Sequence, residues 1–535
     1  MSRVARSKRT ISVCLLLIAI GFGLFAQTYD RPQAQTQGDL DPFVYGRWEL
    51  SFSAPHPMSH AAVLPNGKVL YWTAVIGPPT ESRLWSCVLN NGLCDLDLNS
   101  NNDQAVPYNT TDLFCSAHSF LPNGQLFVAG GSAHPGVGTR STTVFDLNPS
   151  PSPSPIASPG PTMTKGRWYP STVSLGTGET AILSGTHCEA DPPTNGCNPL
   201  PFNRVPEVVN SGGTTLRLLS TAEEALNEAV WYPWVYLGSD GRVFRAGPLS
   251  PSRWLDTAGT GAWGTTTKPH VNASTVPYRD FGSAVTYDVD KVLITGGGQN
   301  PPTNTAETIV LTNETGNWTA TNNMAHARRH HNLTILADGK VLASGGTSGP
   351  GFNNTCLASA VFQAESWNPS TGAWSPMAPL NKRRQYHSVA VLLIDGRVLV
   401  GGTTSQPESH KNCGNVDDEL QQEIFSPPYL FNSDGSWAIR PTITSAPDTI
   451  SYGTNFVVGV SSLMIASRVT LVRLSSVTHS TNMNQRFNNL SFNRVVAGLN
   501  VSAPANSNIA PPGHYMLFVF NKSGVPSVAK IVKLQ

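Results

Sequence analysis

Seven positions in the sequence, each nine residues before the turn of a repeated segment, carry side chains that could do chemistry together. They are Met58, Cys115, Tyr169, Tyr232, Phe281, His330 and His387. Imidazole nitrogens and phenolate oxygens suit Cu(II), whereas structural zinc sites favour Cys and His at closer spacing. Any one of these residues alone fits an ordinary buried role, but a thiol, phenols and imidazoles in one register predict a site. The spacing leaves open which metal binds there and through which tyrosines.

The repeated segment is an apolar strand, a tight turn and a second apolar strand that ends in small residues. It occurs seven times, with turns 49 to 63 residues apart at Gly67, Gly124, Gly178, Gly241, Asp290, Gly339 and Gly396. A period of about 50 residues with Asn-Gly or Asp-Gly turns is typical of four-stranded kelch blades. We therefore predict a seven-bladed kelch-type β-propeller over residues 43–437. Because the innermost strand of each blade lines the channel, the seven positions would form a ring at its mouth. Trp231, Arg329 and Tyr386 come one residue earlier than their ring positions.

The end of the chain and the overall composition both indicate an all-β protein. Residues 438–535 contain short alternating apolar runs separated by turns, which predicts an immunoglobulin-like β-sandwich domain. Only 13% of the 535 residues are charged, and 47 Gly with 42 Pro disfavour long helices. The net charge of +1 gives no electrostatic footprint for nucleic acid, so we expect no nucleic-acid partner.

The N-terminal segment predicts export. Residues 1–35 combine a basic start with an uncharged apolar run over residues 11–26, the pattern of a secretory signal peptide. A run of this length is also close to what spans a bilayer, so an uncleaved N-terminal anchor remains an alternative. In both cases we expect a secreted or cell-envelope protein, which contacts the membrane only if the segment is retained.

The cysteines fit an exported chain, because disulfides persist outside the cytoplasm. Three pairs are predicted, Cys87 with Cys94, Cys188 with Cys197 and Cys356 with Cys413. Cys14 lies in the N-terminal segment, so Cys115 is left over among the seven cysteines that follow that segment. An odd cysteine in an exported protein is either an intermolecular link or a reactive thiol.

Segments around the candidate site residues resemble one known family. They read DLFCSAHSFLPNGQ around Cys115, GRWYPSTV around Tyr169, RQYHSVAVLLIDGRV around Tyr386 and His387, and VTHSTNMNQR around His479. EIFSPPYLF and the tail PPGHYMLFVFNKSGVPSVAKIV are similar to the same family. All resemble the copper-radical oxidases, the family of galactose oxidase and glyoxal oxidase, with the closer likeness to glyoxal oxidase. The likeness covers nearly all of the chain after the N-terminal segment.

The resemblance implies a function and its residues. One copper ion would be bound by Tyr169, Tyr386, His387 and His479, and a loop of the sandwich would enter the channel to bring His479. Cys115 would be joined to Tyr169 by a thioether bond, and the cross-linked Tyr169 would hold a radical. Copper and radical would together oxidise a small aldehyde or primary alcohol, with Tyr386 as the general base. O2 would restore the site and leave as hydrogen peroxide, and we expect a monomer.

The sequence departs from galactose oxidase around the pocket. The position from which galactose oxidase stacks a tryptophan on its cross-linked tyrosine is reached here at His187. The blade-four segment EAVWYPWVY lacks the sugar-gripping arginine. Because the propeller is predicted to start near Pro42, we expect no extra sugar-binding domain before it. Small aldehydes or simple alcohols are therefore expected, in a pocket formed by His187, Trp231, Tyr232, Phe281, Arg329 and His330. The alternatives are a galactose-oxidase-like glycan oxidase and a non-catalytic extracellular binding module.

Overall fold

The computed structural model describes residues 40–73, 82–87, 89–94, 103–106, 111–134, 136–146, 156–188, 201–311, 314–405, 413, 417–461 and 466–535. The predicted signal peptide or anchor at 1–35 and the predicted disulfide partner Cys197 lie outside these residues. One short helix, α1 (Pro42–Tyr45), begins at a cap in which the Asp41 carboxylate accepts the N–H of Phe43. Within the described ranges, 3-10 turns lie at Leu357–Ser359 and Pro428–Leu430. Among the described residues, helices that combine the length and apolarity needed to cross a bilayer are absent.

Strands dominate the rest of the chain. The first group is β1 (Arg47–Ser53), β2 (His60–Val63), β3 (Val69–Trp72), β4 (Ser82–Trp85), β5 (Leu89–Asn90), β6 (Leu93–Cys94), β7 (Asp103–Val106), β8 (Ala117–Phe120), β9 (Leu126–Ala129), β10 (Ser132–His134), β11 (Val137–Gly138), β12 (Thr142–Asp146) and β13 (Ile156–Pro159). The second group is β14 (Ser171–Ser174), β15 (Thr180–Leu183), β16 (Glu207–Val209), β17 (Leu216–Leu218), β18 (Trp234–Leu237), β19 (Val243–Gly247), β20 (Ser252–Asp256), β21 (Ala262–Lys268), β22 (Ser283–Asp288), β23 (Lys291–Thr295), β24 (Ala306–Val310), β25 (Thr319–Ala320), β26 (Arg329–Ile335), β27 (Val341–Thr347), β28 (Gln363–Asn368), β29 (Ala373–Pro379), β30 (Ser388–Leu392), β31 (Val398–Gly402) and β32 (Gln421–Ser426). The third group is β33 (Ile443–Ser445), β34 (Thr449–Ile450), β35 (Asn455–Val460), β36 (Ala466–Arg473), β37 (Ser476–Thr478), β38 (Thr481–Asn482), β39 (Phe487–Leu490), β40 (Phe492–Val495), β41 (Gly498–Ser502), β42 (Gly513–Asn521) and β43 (Lys530–Leu534).

Each repeated segment begins a four-stranded antiparallel unit. In chain order these units are β2-β3-β4-β7, β8-β9-β12-β13, β14-β15-β16-β17, β18-β19-β20-β21, β22-β23-β24-β25, β26-β27-β28-β29 and β30-β31-β32-β1. The innermost strands contact one another in sequence, β8 with β14, β14 with β18, β22 with β26, β26 with β30 and β30 with β2. Most neighbouring units are thus joined through their innermost strands. The prediction of an all-β chain is confirmed.

The last unit is completed by β1 from the start of the described chain, where Trp48 pairs with Phe425. Closing the ring with the first strand ties the two ends of the repeat array together. Sequence patterning did not identify this pairing, because the partner strand lies at the opposite end of the array.

Four of the units share a buried ion pair between an arginine near the innermost strand and a glutamate of the third strand. The pairs are Arg167–Glu207 (3.0 Å), Arg279–Glu307 (2.5 Å), Arg328–Glu365 (2.5 Å) and Arg384–Glu423 (3.1 Å), all essentially shielded from solvent. In the last of these, Glu423 also accepts the backbone N–H groups of Asn381 and Lys382. Each pair thus fixes the chain just before the residue that points to the axis.

The C-terminal region is a β domain with two sheets, β33-β35-β41-β40 and β34-β43-β42-β36-β39. Its own apolar core includes Val458, Leu471 and Leu517. Two of the predicted disulfides are also confirmed, Cys87–Cys94 and Cys356–Cys413. One hairpin leaves the second of these sheets between β36 and β39.

That hairpin, β37 and β38, enters the centre of the ring. Thr478 pairs with His60 of β2, and Thr481 pairs with Ala284 of β22, so the hairpin joins two units into a ten-stranded sheet. The tip residues His479 and Ser480 have φ values of +46° and +67°, as a tight two-residue hairpin turn requires. The turn places His479 near the axis, among the ring residues.

Candidate metal centre

Six of the seven ring positions share an unusual backbone conformation. Cys115, Tyr169, Tyr232, Phe281, His330 and His387 have φ between +45° and +67°, a region that non-glycine residues seldom enter; Met58 is the exception. Backbone bonds join neighbours around the ring, since the N–H of Tyr169 donates to the Cys115 carbonyl (3.0 Å) and that of Tyr232 to the Tyr169 carbonyl (2.9 Å). The chain turns sharply at each position just before the innermost strand. The repeated register therefore presents these side chains at one level.

Two phenols meet at this level. The hydroxyl groups of Tyr169 and Tyr386 are hydrogen bonded to each other, although 217 residues separate them in the chain. Burial is the main cause that raises the pKa of both phenols well above the ordinary value, and the neighbouring Cys115 raises both further. Both phenols are therefore protonated unless a cation stabilises their phenolate forms.

Two imidazoles face the phenols with one nitrogen each. Nδ1 of His387 is bonded to Thr404 Oγ1 (2.5 Å), and Nδ1 of His479 to Thr478 Oγ1 (2.6 Å). Nε2 of His387 is buried without a hydrogen-bond partner. Burial lowers the pKa of His387 to about 3 and that of His479 well below its ordinary value. Both rings are thus neutral, and the bonds at Nδ1 leave their Nε2 lone pairs for a metal.

A thiol completes the cluster. Sγ of Cys115 lies 3.9 Å from Nε2 of His479, and the candidate ligand atoms of Cys115, His387 and His479 all lie within 4.8 Å of one another. Burial raises the pKa of the Cys115 thiol, which also has a side-chain hydrogen bond with Tyr169. The thiol therefore lies beside both an imidazole and the phenol of Tyr169. The remaining donors, two imidazoles and two phenols, fit Cu(II).

A group of aromatic side chains, Trp168, Trp231 and Phe352, borders the cluster on one side, and we call this group the rim. The indole of Trp168 stacks on the ring of Tyr169, with centroids 3.5 Å apart and planes 7° apart. Trp231 stands at right angles to Trp168 (5.9 Å), and Phe352 contacts both Trp231 (5.7 Å) and Tyr386 (6.1 Å). These rim residues are half-buried, so they border the site on its solvent side.

Sequence reasoning missed three aromatic residues of the site, Phe114, Trp168 and Phe352. Phe114, whose ring lies 5.0 Å from that of His387, and Trp168 each precede a ring position by one residue. The same count that selected Trp231 would have found both. Phe352 follows β27 in a loop, and its sequence carries no comparable signal.

The predicted pocket residues differ in where they lie relative to Tyr169. His187, assigned by count to the stacking position, is buried with its backbone N–H on the Pro201 carbonyl (3.0 Å), and Trp168 is the residue that covers Tyr169. Tyr232 stacks on Tyr169 (4.6 Å), and its hydroxyl donates to the Ser116 carbonyl (3.1 Å). That hydroxyl is therefore committed to the scaffold.

Three other predicted residues lie beside Tyr386. The rings of Phe281 and His330 lie 5.9 Å and 4.9 Å from it. Arg329 lies over the ring of Phe281 (5.4 Å), and its two terminal nitrogens donate to the Asp280 carboxylate and to the Gly351 carbonyl. These residues form the wall on the Tyr386 side of the site.

Comparisons with known proteins find oxidases, one of them solved in complex with copper. The family model "Glyoxal oxidase N-terminus" matches residues 282–429, and "Galactose oxidase-like, Early set domain" matches residues 440–534. Galactose oxidase from Gibberella zeae is 29% identical over 91% of this chain and 70% of its own length. The aldehyde oxidase GLOX of Vitis pseudoreticulata is 28% identical over 88% of this chain and 90% of its own. A fungal alcohol oxidase solved in complex with copper is 25% identical, with a TM-score of 0.76 over 92% of this chain and all of that one.

Together with these relatives, the cluster of two imidazoles, two phenols and a buried thiol fits a copper-dependent oxidase. The chain belongs to the copper-radical oxidases, the family of galactose oxidase and glyoxal oxidase. The cofactors of that family are a copper ion and a cysteine–tyrosine thioether radical, and the donors assembled here fit both.

Proposed function

We propose that this chain is an exported oxidase that converts small aldehydes or primary alcohols with O2 and releases hydrogen peroxide. The observation that carries the proposal is the meeting of Tyr169, Tyr386, His387, His479 and Cys115 in one buried cluster. The named aldehyde oxidase relative is matched over 90% of its length, whereas galactose oxidase is matched over 70%.

In this proposal Tyr169, Tyr386, His387 and His479 hold copper, and Cys115 is joined to Tyr169. Copper held by these residues would supply a Lewis acid and a one-electron acceptor, and a radical on Tyr169 would supply the second one-electron acceptor. Tyr386 takes the proton of the substrate hydroxyl at Oη, as a general base held by its buried ring. The hydroxyl of Tyr386 is hydrogen bonded to that of Tyr169. The residue that takes the substrate proton therefore lies next to the residue that takes the substrate hydrogen atom. Trp168 covers the face of Tyr169 and limits its contact with water.

The residues of the rim favour a small substrate that carries an oxygen atom able to accept a hydrogen bond. Nε1 of Trp231 is buried without a hydrogen-bond partner, so it can donate to a carbonyl or hydroxyl oxygen. Phe281 and Phe352 pack edge to face at 5.1 Å and form an apolar wall. Because the terminal nitrogens of Arg329 are committed to Asp280 and a carbonyl, they are not free to bind several hydroxyls of a sugar.

The proposal includes the architecture and the location. The seven four-stranded units would be the blades of a kelch propeller over residues 43–437, followed by the sandwich over 438–535. Residues 1–35 would direct export, which agrees with the disulfides Cys87–Cys94 and Cys356–Cys413, since such bonds persist outside the cytoplasm.

The test is a peroxide assay on purified, copper-loaded protein with glyoxal, methylglyoxal, primary alcohols and galactose. We expect peroxide from the aldehydes and none from Cys115→Ser, which should still bind copper. Absence of peroxide from every substrate would contradict the proposed function, and faster turnover of galactose would move the substrate to carbohydrates.

A further inference from the structure

Two buried histidines behind the metal centre have no part in the proposed ligand set. His60 and His118 are both fully shielded from solvent. Nδ1 of His60 lies 3.1 Å from Nε2 of His118, and Nε2 of His60 lies 3.0 Å from the backbone nitrogen of Cys115. At the far end, Nδ1 of His118 lies 2.5 Å from Ser476 Oγ. The two rings therefore connect the hairpin that carries His479 to the cysteine of the proposed cross-link.

The partners at the two ends of this chain determine where its protons are. The backbone N–H of Cys115 can only donate, so Nε2 of His60 accepts and Nδ1 carries the proton. That proton is donated to Nε2 of His118, whose Nδ1–H is then donated to Ser476. The Ser476 hydroxyl donates in turn to the carbonyl of His118 (2.8 Å). His60 is thus held in the one tautomer that offers Cys115 an acceptor.

The bond from His60 supports a backbone conformation that an L-residue seldom adopts. Cys115 has φ of +64°, and such conformations persist where the surroundings hold them on several sides. Its N–H is held by His60, and its carbonyl accepts the N–H of Tyr169 (3.0 Å). With both neighbouring peptides fixed, the direction of the thiol toward Tyr169 is fixed as well.

His60 is itself held firmly. Its ring stacks on Trp72, with centroids 4.9 Å apart and planes 9° apart. Its backbone pairs with Thr478 of the hairpin, and Thr478 Oγ1 lies 3.5 Å from Nε2 of His60. The His60 imidazole therefore links Cys115 both to the first four-stranded unit and to the inserted hairpin.

We propose that His60, through its Nε2 bond to the backbone N–H of Cys115, is the positioning residue for the cross-link between Cys115 and Tyr169. The proposal rests on the proposed function, which assigns that cross-link. In the reaction a bond forms between Sγ of Cys115 and a ring carbon of Tyr169, while the S–H and one ring C–H bond break. The two electrons and two protons released are taken by O2, which becomes hydrogen peroxide. His60 acts through the backbone of Cys115 alone.

Substitution by asparagine and by glutamine separates the two bonds of His60. The amide of Gln reaches the place of Nε2 and can accept the N–H of Cys115, whereas the amide of Asn reaches the place of Nδ1 and serves His118 alone. Copper-free precursor of wild type, His60→Gln and His60→Asn is mixed with copper in air. Cross-linking is followed by the loss of two hydrogens in the intact mass and by peptide mapping, and copper content is measured in parallel. His270→Gln, which changes a buried imidazole bonded to the Ala246 carbonyl elsewhere, is the matched control.

We expect His60→Gln and His270→Gln to cross-link at nearly the wild-type rate. His60→Asn should bind copper but cross-link roughly tenfold more slowly or worse, the change that corresponds to one lost hydrogen bond. Cross-linking of His60→Asn at the wild-type rate would overturn the inference. If His60→Asn does not fold, the folded Gln variant decides, because slow cross-linking there also overturns it. A wild type that binds copper and never cross-links would instead refute the proposed function.

Discussion

Copper binding should release protons from Tyr169 and Tyr386. Without copper both phenols are protonated near neutral pH, because burial raises their pKa values well above the ordinary range. The imidazoles contribute no proton, since burial lowers the pKa of His387 to about 3 and that of His479 well below its usual value. Each copper ion bound by copper-stripped, cross-linked protein should therefore release about two protons. The apparent affinity should then rise by about two powers of ten, or roughly 2.7 kcal/mol, for each unit of pH.

Calorimetric titration in buffers with different enthalpies of protonation measures the number of protons released. We expect about two in wild type and about one in Tyr386→Phe, because each ligating phenol loses one proton. Tyr236 is a buried tyrosine of β18 away from the cluster, and Tyr236→Phe should behave as wild type. Release of about two protons from Tyr386→Phe would show that Tyr386 is not a ligand. An affinity that does not change with pH would refute the reasoning from buried, protonated phenols.

Three further substitutions test the site and its scaffold. Trp168→Leu removes the ring stack on Tyr169, the proposed radical site; the stack is worth about 0.5–1.5 kcal/mol, so the radical absorption band should decay up to about tenfold faster. Thr404→Val removes the partner of His387 Nδ1 and should weaken copper binding about 10- to 100-fold in competition with a chelator. Glu365→Ala leaves the buried guanidinium of Arg328 without its carboxylate and should lower the free energy of unfolding by about 3–5 kcal/mol in denaturant titration. In each case a smaller change would mean that the contact contributes less than expected to the lifetime of the radical, the copper affinity or the free energy of unfolding.

Much of the site could be predicted, because the turn of each repeat gives a reference position from which equivalent residues can be counted. Counting back from each turn selected Cys115, Tyr169 and His387, which the structure brings to one level with the same left-handed backbone. Phe114 and Trp168 were within reach of the same count, one residue earlier. The count failed at His187, because a position carried over from a relative does not say which neighbouring ring will cover Tyr169.

Other features had no local signal. The pairing of Trp48 with Phe425 joins the first strand of the array to its last unit. Each paired glutamate lies on the third strand of its unit, whereas its arginine lies near the innermost strand. Phe352 reaches the rim from a loop, where neither strand alternation nor turn spacing applies. His60 and His118 look like ordinary strand residues in the sequence, and only their mutual bond and the bond to Cys115 distinguish them.

Spacing and residue type along the chain were enough for the all-β repeat, the odd cysteine and the residues that ring the axis, because a tight turn fixes the register of the strands on either side of it. The tertiary structure decided which groups share the centre: His479 arrives on a hairpin from another domain, and the hydroxyls of Tyr169 and Tyr386 meet across 217 residues. Such meetings depend on how distant strands pair and pack. The same burial that brings the groups together also shifts their pKa values, and burial is a property of the folded chain.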